Sequence, residues 1–130
     1  MHKWFIIIAS FLGALAVALG AFGAHGLKNY ATPAMLTTYE TAVKYQFYHV
    51  FALSFTGILY AYFPSTLLVM SGKFFIAGTA IFSGSLYLLT LVSIVGQNQY
   101  KWLGAITPIG GLLLIIAWIL MGISLLRYKA

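Results

Sequence analysis

The side chains that could do chemistry are few: His25, Gln46, His49, Tyr87 and Thr107, with Ser83 and Ser85 near them. Imidazole, amide and hydroxyl groups exchange hydrogen bonds, and imidazole can also hold a metal or a haem iron. What these groups lack is a carboxylate partner. The only acidic side chain is Glu40, so paired-carboxylate acid–base chemistry is excluded. Cysteine is absent, which removes disulfides, thiolate nucleophiles and thiolate metal sites. Ser83-Gly84-Ser85 has no neighbouring base to activate a hydroxyl. Gly20-x-x-Gly23-x-x-Gly26 lacks the preceding strand that a nucleotide-binding glycine loop needs. The expectation is a protein that is not an enzyme and has no resident cofactor or metal. One alternative stays open, a haem or metal held by His25 and His49; a zinc site would have to recruit Glu40 as well. His2 stands at the opposite end and is read as a terminal residue without a role.

The elements that position these groups follow from composition. Of 130 residues, 62% are hydrophobic and 6% charged, against about a quarter charged in a soluble domain. So few charges cannot cover a globule in water, and the apolar side chains must also face lipid. Four apolar runs stand out, at about 4–24, 45–63, 74–95 (or from Leu67) and 102–126. Backbone polar groups need internal partners in lipid, so each run is expected to be helical. The short alternating strands of a membrane barrel are missing. The fold class is therefore an all-α integral membrane protein, one domain over 1–130, built as an antiparallel bundle of four transmembrane helices. The first run is long enough to span and reads as a retained helix, not a cleaved leader.

Thr32-Pro33 reads as a helix start, with Thr32 as N-cap and Pro33 at the first helical position. A helix over 33–63 would be ~46 Å long against a ~30 Å hydrocarbon core. A short interfacial helical extension is therefore expected before the second span. On it Leu36, Tyr39, Val43 and Phe47 form one stripe, with Glu40 and Lys44 as an i,i+4 pair beside it. Turns are expected at 64–66 and 96–99.

Alternating helix direction brings the polar side chains together. His25 ends the first span, and His49 lies ~7 Å into the second from that same side. Gln46, Tyr87 and Thr107 fall in the same half of the membrane, and Ser83 and Tyr87 share a face as an i,i+4 pair. Polar groups at depth are costly and mark function or register. Three readings stay open: a hydrogen-bond network that fixes helix register, a pocket for a lipid or small amphiphile, and the haem or metal site.

Small residues mark packing faces. Ala9, Gly13, Ala16, Gly20 and Gly23 follow one another at 4, 3, 4 and 3 residues on the first helix, a face that lets backbones approach closely. Gly104, Pro108, Gly111, Ile115, Trp118 and Gly122 form a related stripe on the fourth. Pro108 removes a backbone donor and should kink or break that helix. A broken helix would suit a transporter or channel component, the other alternative function. The formal charge of +6 comes from cations scattered at the ends of apolar runs, as snorkelling side chains are, so nucleic acid is not an expected partner. Lys3, Lys73, Arg127 and Lys129 lie on the side of the termini, and Lys28, Lys44 and Lys101 on the other, which favours cytoplasmic termini by one charge. So small a bundle encloses little interior, and a homo-oligomer in the lipid bilayer is expected.

Four segments then resemble a known family. Gly20-Ala21-Phe22-Gly23-Ala24-His25-Gly26-Leu27 is similar to the signature of the YgdD/YwdK-like small bacterial inner-membrane proteins, whose eukaryotic relatives are the transmembrane protein 256-like proteins. Tyr45-Gln46-Phe47-Tyr48-His49, Phe82-Ser83-Gly84-Ser85-Leu86-Tyr87 and Thr107-Pro108-Ile109-Gly110-Gly111, with Trp118 after it, follow in the family's order. The resemblance covers nearly the whole chain. It implies a four-span protein of the bacterial cytoplasmic membrane, and it implies no activity, since the family is one of unknown function.

Overall fold

The computed structural model describes residues 1–129. Four helices pack antiparallel: α1 (Lys3–His25), α2 (Pro33–Leu59), α3 (Thr66–Ile94) and α4 (Leu103–Leu126), with short 3-10 turns at Leu27–Asn29 and Asn98–Tyr100. Local chemistry sets the ends. The Thr32 hydroxyl accepts from the Met35 N–H at 3.3 Å, with Pro33 behind it in the first turn. Ser65 caps α3 in the same way, accepting from the Leu68 N–H at 3.1 Å. At the far end of α3, Gly96 turns left-handed at φ +72°. The Gln97 N–H donates to Val92 C=O at 2.9 Å and the Gly96 N–H to Ser93 C=O at 3.2 Å, the paired closure that satisfies the last carbonyls of a helix.

Among the described residues, the extensive backbone approaches are between consecutive helices: α1 on α2, α2 on α3, α3 on α4. The α2–α3 pair therefore forms the middle of the bundle, and α1 and α4 flank it. The main apolar core lies toward the end that carries the chain start, where Phe5, Leu53, Leu68, Phe75, Leu114 and Met121 gather.

The small-residue face of α1 lies on α2 as its spacing implies. Ala9 and Ala16 are fully buried. A Cβ added at Gly13 would meet Val50 at 3.4 Å, one at Gly20 would meet Val43 at 3.4 Å, and one at Gly23 would strike the Tyr39 ring at 2.5 Å. The seam ends where the His2 N–H donates to Gly57 C=O at 2.9 Å. This register sets α1 opposite α2 from about Thr37 to Gly57, so the extension before the second span is about one turn. The stretch of α2 that faces α1 thus begins about two turns before residue 45, where the second span was expected to start. Glu40 and Lys44 lie on the exposed side of α2, where they can reach the headgroups, and so do not keep residues 37–44 out of the bilayer.

Among the described residues, three helices are long and apolar enough to cross a membrane: α1 with the turn after it, α3 and α4. α2 is 27 residues long but more polar, with Gln46, His49, Thr56 and three tyrosines (Tyr39, Tyr45, Tyr48) on it. It crosses nonetheless. Phe5 of α1 packs on Gly72 of α3, so α3 begins on the side where α1 begins, and α2 must return the chain. α3 starts at Thr66, one residue before the earlier of the two expected starts, Leu67 and 74. Lys73 stands on its exposed face, and a single snorkelling cation does not end a helix.

Between α3 and α4 the tight approach falls at two glycines. A Cβ at Gly78 would strike Leu114, and one at Gly110 would strike the Phe82 backbone. Gly104 and Gly111, expected as the packing positions, stand at looser distances; their Cβ atoms would lie 3.9 Å from Leu89 and 3.6 Å from Phe82. Pro108 is exposed, off the packing face, and α4 is helical without a break through it. The lost donor falls in the second turn, close to the helix start, and costs one hydrogen bond, to Gly104 C=O, without breaking the helix.

Candidate functional site

The polar side chains expected to share one pocket instead tie helices together in separate places: Gln46 with Tyr87, Ser83 with Ala42 C=O, Ser85 with Thr107, and His49 with Trp118. Gln46 is 2% exposed. Its Nε2 donates to Leu12 C=O of α1 at 2.8 Å, and its Oε1 accepts from the Tyr87 hydroxyl of α3 at 2.6 Å. One amide thus joins three helices. One turn earlier, Ser83 Oγ donates to Ala42 C=O at 2.8 Å, so the i,i+4 face of Ser83 and Tyr87 is the α3 face that meets α2. Ser85 donates to Phe82 C=O at 2.9 Å. Its oxygen lies 2.6 Å from the Thr107 hydroxyl of α4. Ser85 has a single hydrogen, already donated, so Thr107 is the donor of that pair.

His49 bridges α2 to α4. Its Nδ1 lies 2.7 Å from Tyr45 C=O, and a carbonyl only accepts, so Nδ1 carries the proton. Nε2 is then the acceptor for the Trp118 indole N–H at 3.3 Å. The two partners fix a neutral imidazole. Phe75 stands edge-on to Trp118, with ring centroids 5.2 Å apart at 81°, and backs the pair. Val50 next to His49 faces Gly13, near the middle of α1, so His49 lies level with the middle of that helix.

His25 does not join this group. It is the last residue of α1 and is exposed. Gly23, two residues before it, faces Tyr39, and His49 lies ten residues further along α2, a rise of ~15 Å. The haem or metal alternative fails on that separation: one iron cannot reach both imidazoles, and both nitrogens of His49 are already engaged. Among the described residues, no three His, Cys, Asp or Glu side chains gather as a metal site would require.

Several polar contacts have no forerunner in the sequence reading. The Tyr39 hydroxyl donates to Leu19 C=O at 2.6 Å. Ser71 donates to Ala117 C=O at 2.7 Å, joining α3 to α4. Thr56 donates to Ala52 C=O at 2.8 Å and reaches Met121 Sδ at 3.6 Å. His2 is held in place: its ring stacks on Phe5 at 3.8 Å and 16°, with Tyr60 edge-on at 5.5 Å. For Tyr39 a signal existed, since it stands on the expected α2 stripe.

Because α2 and α4 meet only through side-chain tips, a groove runs between them over α3. Two adjoining hollows occupy it. One of about 350 Å³ is lined by Tyr45, His49, Phe82, Gly111, Leu114, Ile115 and Trp118. The other, of about 540 Å³, is lined by Phe51, Ala52, Phe55, Ile58, Trp118 and Met121 among others. Trp118 belongs to both. A smaller hollow of about 250 Å³ lies on the α1 side, bordered by Gln46, Thr79, Ser83, Gly84 and Tyr87.

Comparison with known proteins shows the family. Residues 19–111 match the family described as "Protein of unknown function (DUF423)". The chain is 41% identical over 126 residues to a UPF0382 membrane protein of Staphylococcus aureus, covering 97% of this chain and 98% of that protein. A UPF0382 membrane protein of Staphylococcus haemolyticus is 39% identical over the same shares. The UPF0382 membrane protein YwdK of Bacillus subtilis is 38% identical over 127 residues, again 97% and 98%. No solved structure matches.

Proposed function

The chain belongs to the UPF0382 (DUF423) family of bacterial multi-pass membrane proteins, and we propose that it is a non-enzymatic protein that binds a lipid or small amphiphile in the α2–α4 groove. We place it in the cytoplasmic membrane with both termini in the cytoplasm, on the bias of its loop charges. The observation that carries the binding reading is the His49–Trp118 bridge across a membrane-facing hollow. Elsewhere the polar groups at depth bond to backbone or to packed neighbours. Here the bond is a long one, 3.3 Å between two side-chain tips, and Trp118 is 47% exposed. A ligand hydroxyl or carbonyl could enter between them, accepting from the indole N–H; a hydroxyl could also donate to Nε2. Its chain would lie against Phe51, Phe55 and Ile58, which already face out.

Depth narrows the ligand. A charged headgroup is strongly disfavoured at the midplane, whereas a neutral hydroxyl, ester or ketone is not. The reading therefore favours an uncharged long-chain amphiphile. Native mass spectrometry of the protein released from nanodiscs made with host lipids tests it. Wild type should retain a neutral lipid-soluble species that His49→Ala and Trp118→Ala both lose. Equal spectra for all three proteins would sink the reading.

A further inference from the structure

We propose that the outer α1–α2 groove, at the His25 end of the bundle, binds the headgroup of a zwitterionic phospholipid that bears an ammonium group. Glu40 takes the ammonium and Lys44 the phosphate. This site is independent of the midplane groove. Glu40 and His49 are nine residues apart, which at about 3.6 residues per turn puts them on opposite sides of α2.

The hollow, of about 180 Å³, is lined by Gly20, Gly23, Ala24, Tyr39, Glu40 and Lys44 among others. Its α1 wall is backbone at Gly20 and Gly23. A side chain at either position would press on Val43 or Tyr39, so the glycines that let the helices meet also leave the outer edge of the seam open. Its depth suits a headgroup. Tyr39 stands level with Gly23, two residues from the end of α1, so Glu40 lies at the membrane boundary and Lys44 one turn below it, able to snorkel up.

Charge selects the occupant. Glu40 is the single acid of a chain with seven Lys and Arg. Lys44 stands four residues on, in the order that favours a Glu–Lys pair on a helix. Yet among the described residues Glu40 makes no ion pair, and both side chains are exposed into the hollow. Cations alone would suit any phosphate, anionic lipids included. A carboxylate at the same boundary repels an anionic headgroup and offers a place to a cation. A phosphate and an ammonium joined by two carbons present opposite charges to side chains about 6 Å apart along the helix axis.

The test is lipid competition in the whole protein. Nanodiscs of equal phosphatidylethanolamine and phosphatidylglycerol are prepared with wild type, Glu40→Gln, Glu40→Lys, Lys44→Gln and His49→Ala, and the lipids retained on release are weighed by native mass spectrometry. Wild type should hold phosphatidylethanolamine several-fold over its share. Glu40→Gln should bring the ratio to that of the disc, and Glu40→Lys should reverse it. Lys44→Gln should lower both lipids together. His49→Ala should leave the ratio as in wild type, which separates this site from the midplane groove. A wild-type ratio in Glu40→Gln, or enrichment of phosphatidylglycerol by wild type, would overturn the proposal.

Discussion

α1 and α4 flank the same central pair, yet they are held in opposite ways. α1 lies flat on α2 through Ala9, Gly13, Ala16, Gly20 and Gly23, and two α2 side chains, Tyr39 and Gln46, donate into its backbone carbonyls. α4 lies flat on α3 through Gly78 and Gly110 but reaches α2 only by tips, Trp118 to His49 and Met121 to Thr56. In lipid there is no hydrophobic drive to close such gaps; dispersion at short range and hydrogen bonds do the work. Where small residues line up, the seam closes. Where large side chains bridge, space for a third molecule remains.

The contrast can be broken first at the closed seams, α3–α4 and α1–α2. Gly110→Val would force a side chain into the Phe82 backbone and should give the largest loss, toward or beyond the upper end of the ~1–3 kcal/mol common for overpacking. Gly122→Val is the control, since nothing lies within 4 Å of its added Cβ, and it should behave as wild type in detergent-titrated unfolding. Gln46→Leu should cost less, about 1–2 kcal/mol, because two hydrogen bonds worth ~0.6 kcal/mol on average and ~1.7 at most are removed. A double-mutant cycle with Tyr87→Phe should return a coupling of about 0.6 kcal/mol for their shared bond. Trp118→Phe should have the smallest effect on stability, below about 0.6 kcal/mol for one long bond between tips, while still changing which lipids the protein retains. A large stability loss from Trp118→Phe would mean that the α2–α4 side is as closed as the α1–α2 side.

The difference between the two flanks also explains what the sequence disclosed. α1 carries its small residues in a 4-3-4-3 spacing; Ala9 and Ala16 are fully buried, and Gly13, Gly20 and Gly23 face Val50, Val43 and Tyr39 of α2. The Thr32-Pro33 start and the Ser83–Tyr87 face were legible for the same reason, because each depends on neighbours within one turn. α4 is apolar nearly all round, and such a helix carries no periodic mark of which side faces protein. Gly110 and Gly111 are adjacent, about 100° apart around the axis, and only the partner decides which one makes contact. Trp118 looked like part of a stripe because its hydrogen bond reaches 69 residues back in the chain. The sequence placed the second apolar run at 45–63, although α2 already faces α1 from about Thr37, because Glu40 and Lys44 interrupt the apolar pattern there. Both charges sit on the outer side, and the buried side of that stretch is Tyr39, Ala42 and, just beyond it, Gln46.

Mapping contacts with a photoreactive long-chain lipid probe would test the central claim most directly. The probe, carrying a diazirine in its chain, is incorporated into vesicles holding the protein and activated, and the labelled peptides are identified. The account predicts labels concentrated on Phe51, Phe55, Ile115 and Trp118, above the equally exposed Phe11, Leu15 and Val17 of α1, and lowered when Ala52→Trp fills the groove. Labels spread evenly over both sets, unchanged by that substitution, would contradict it.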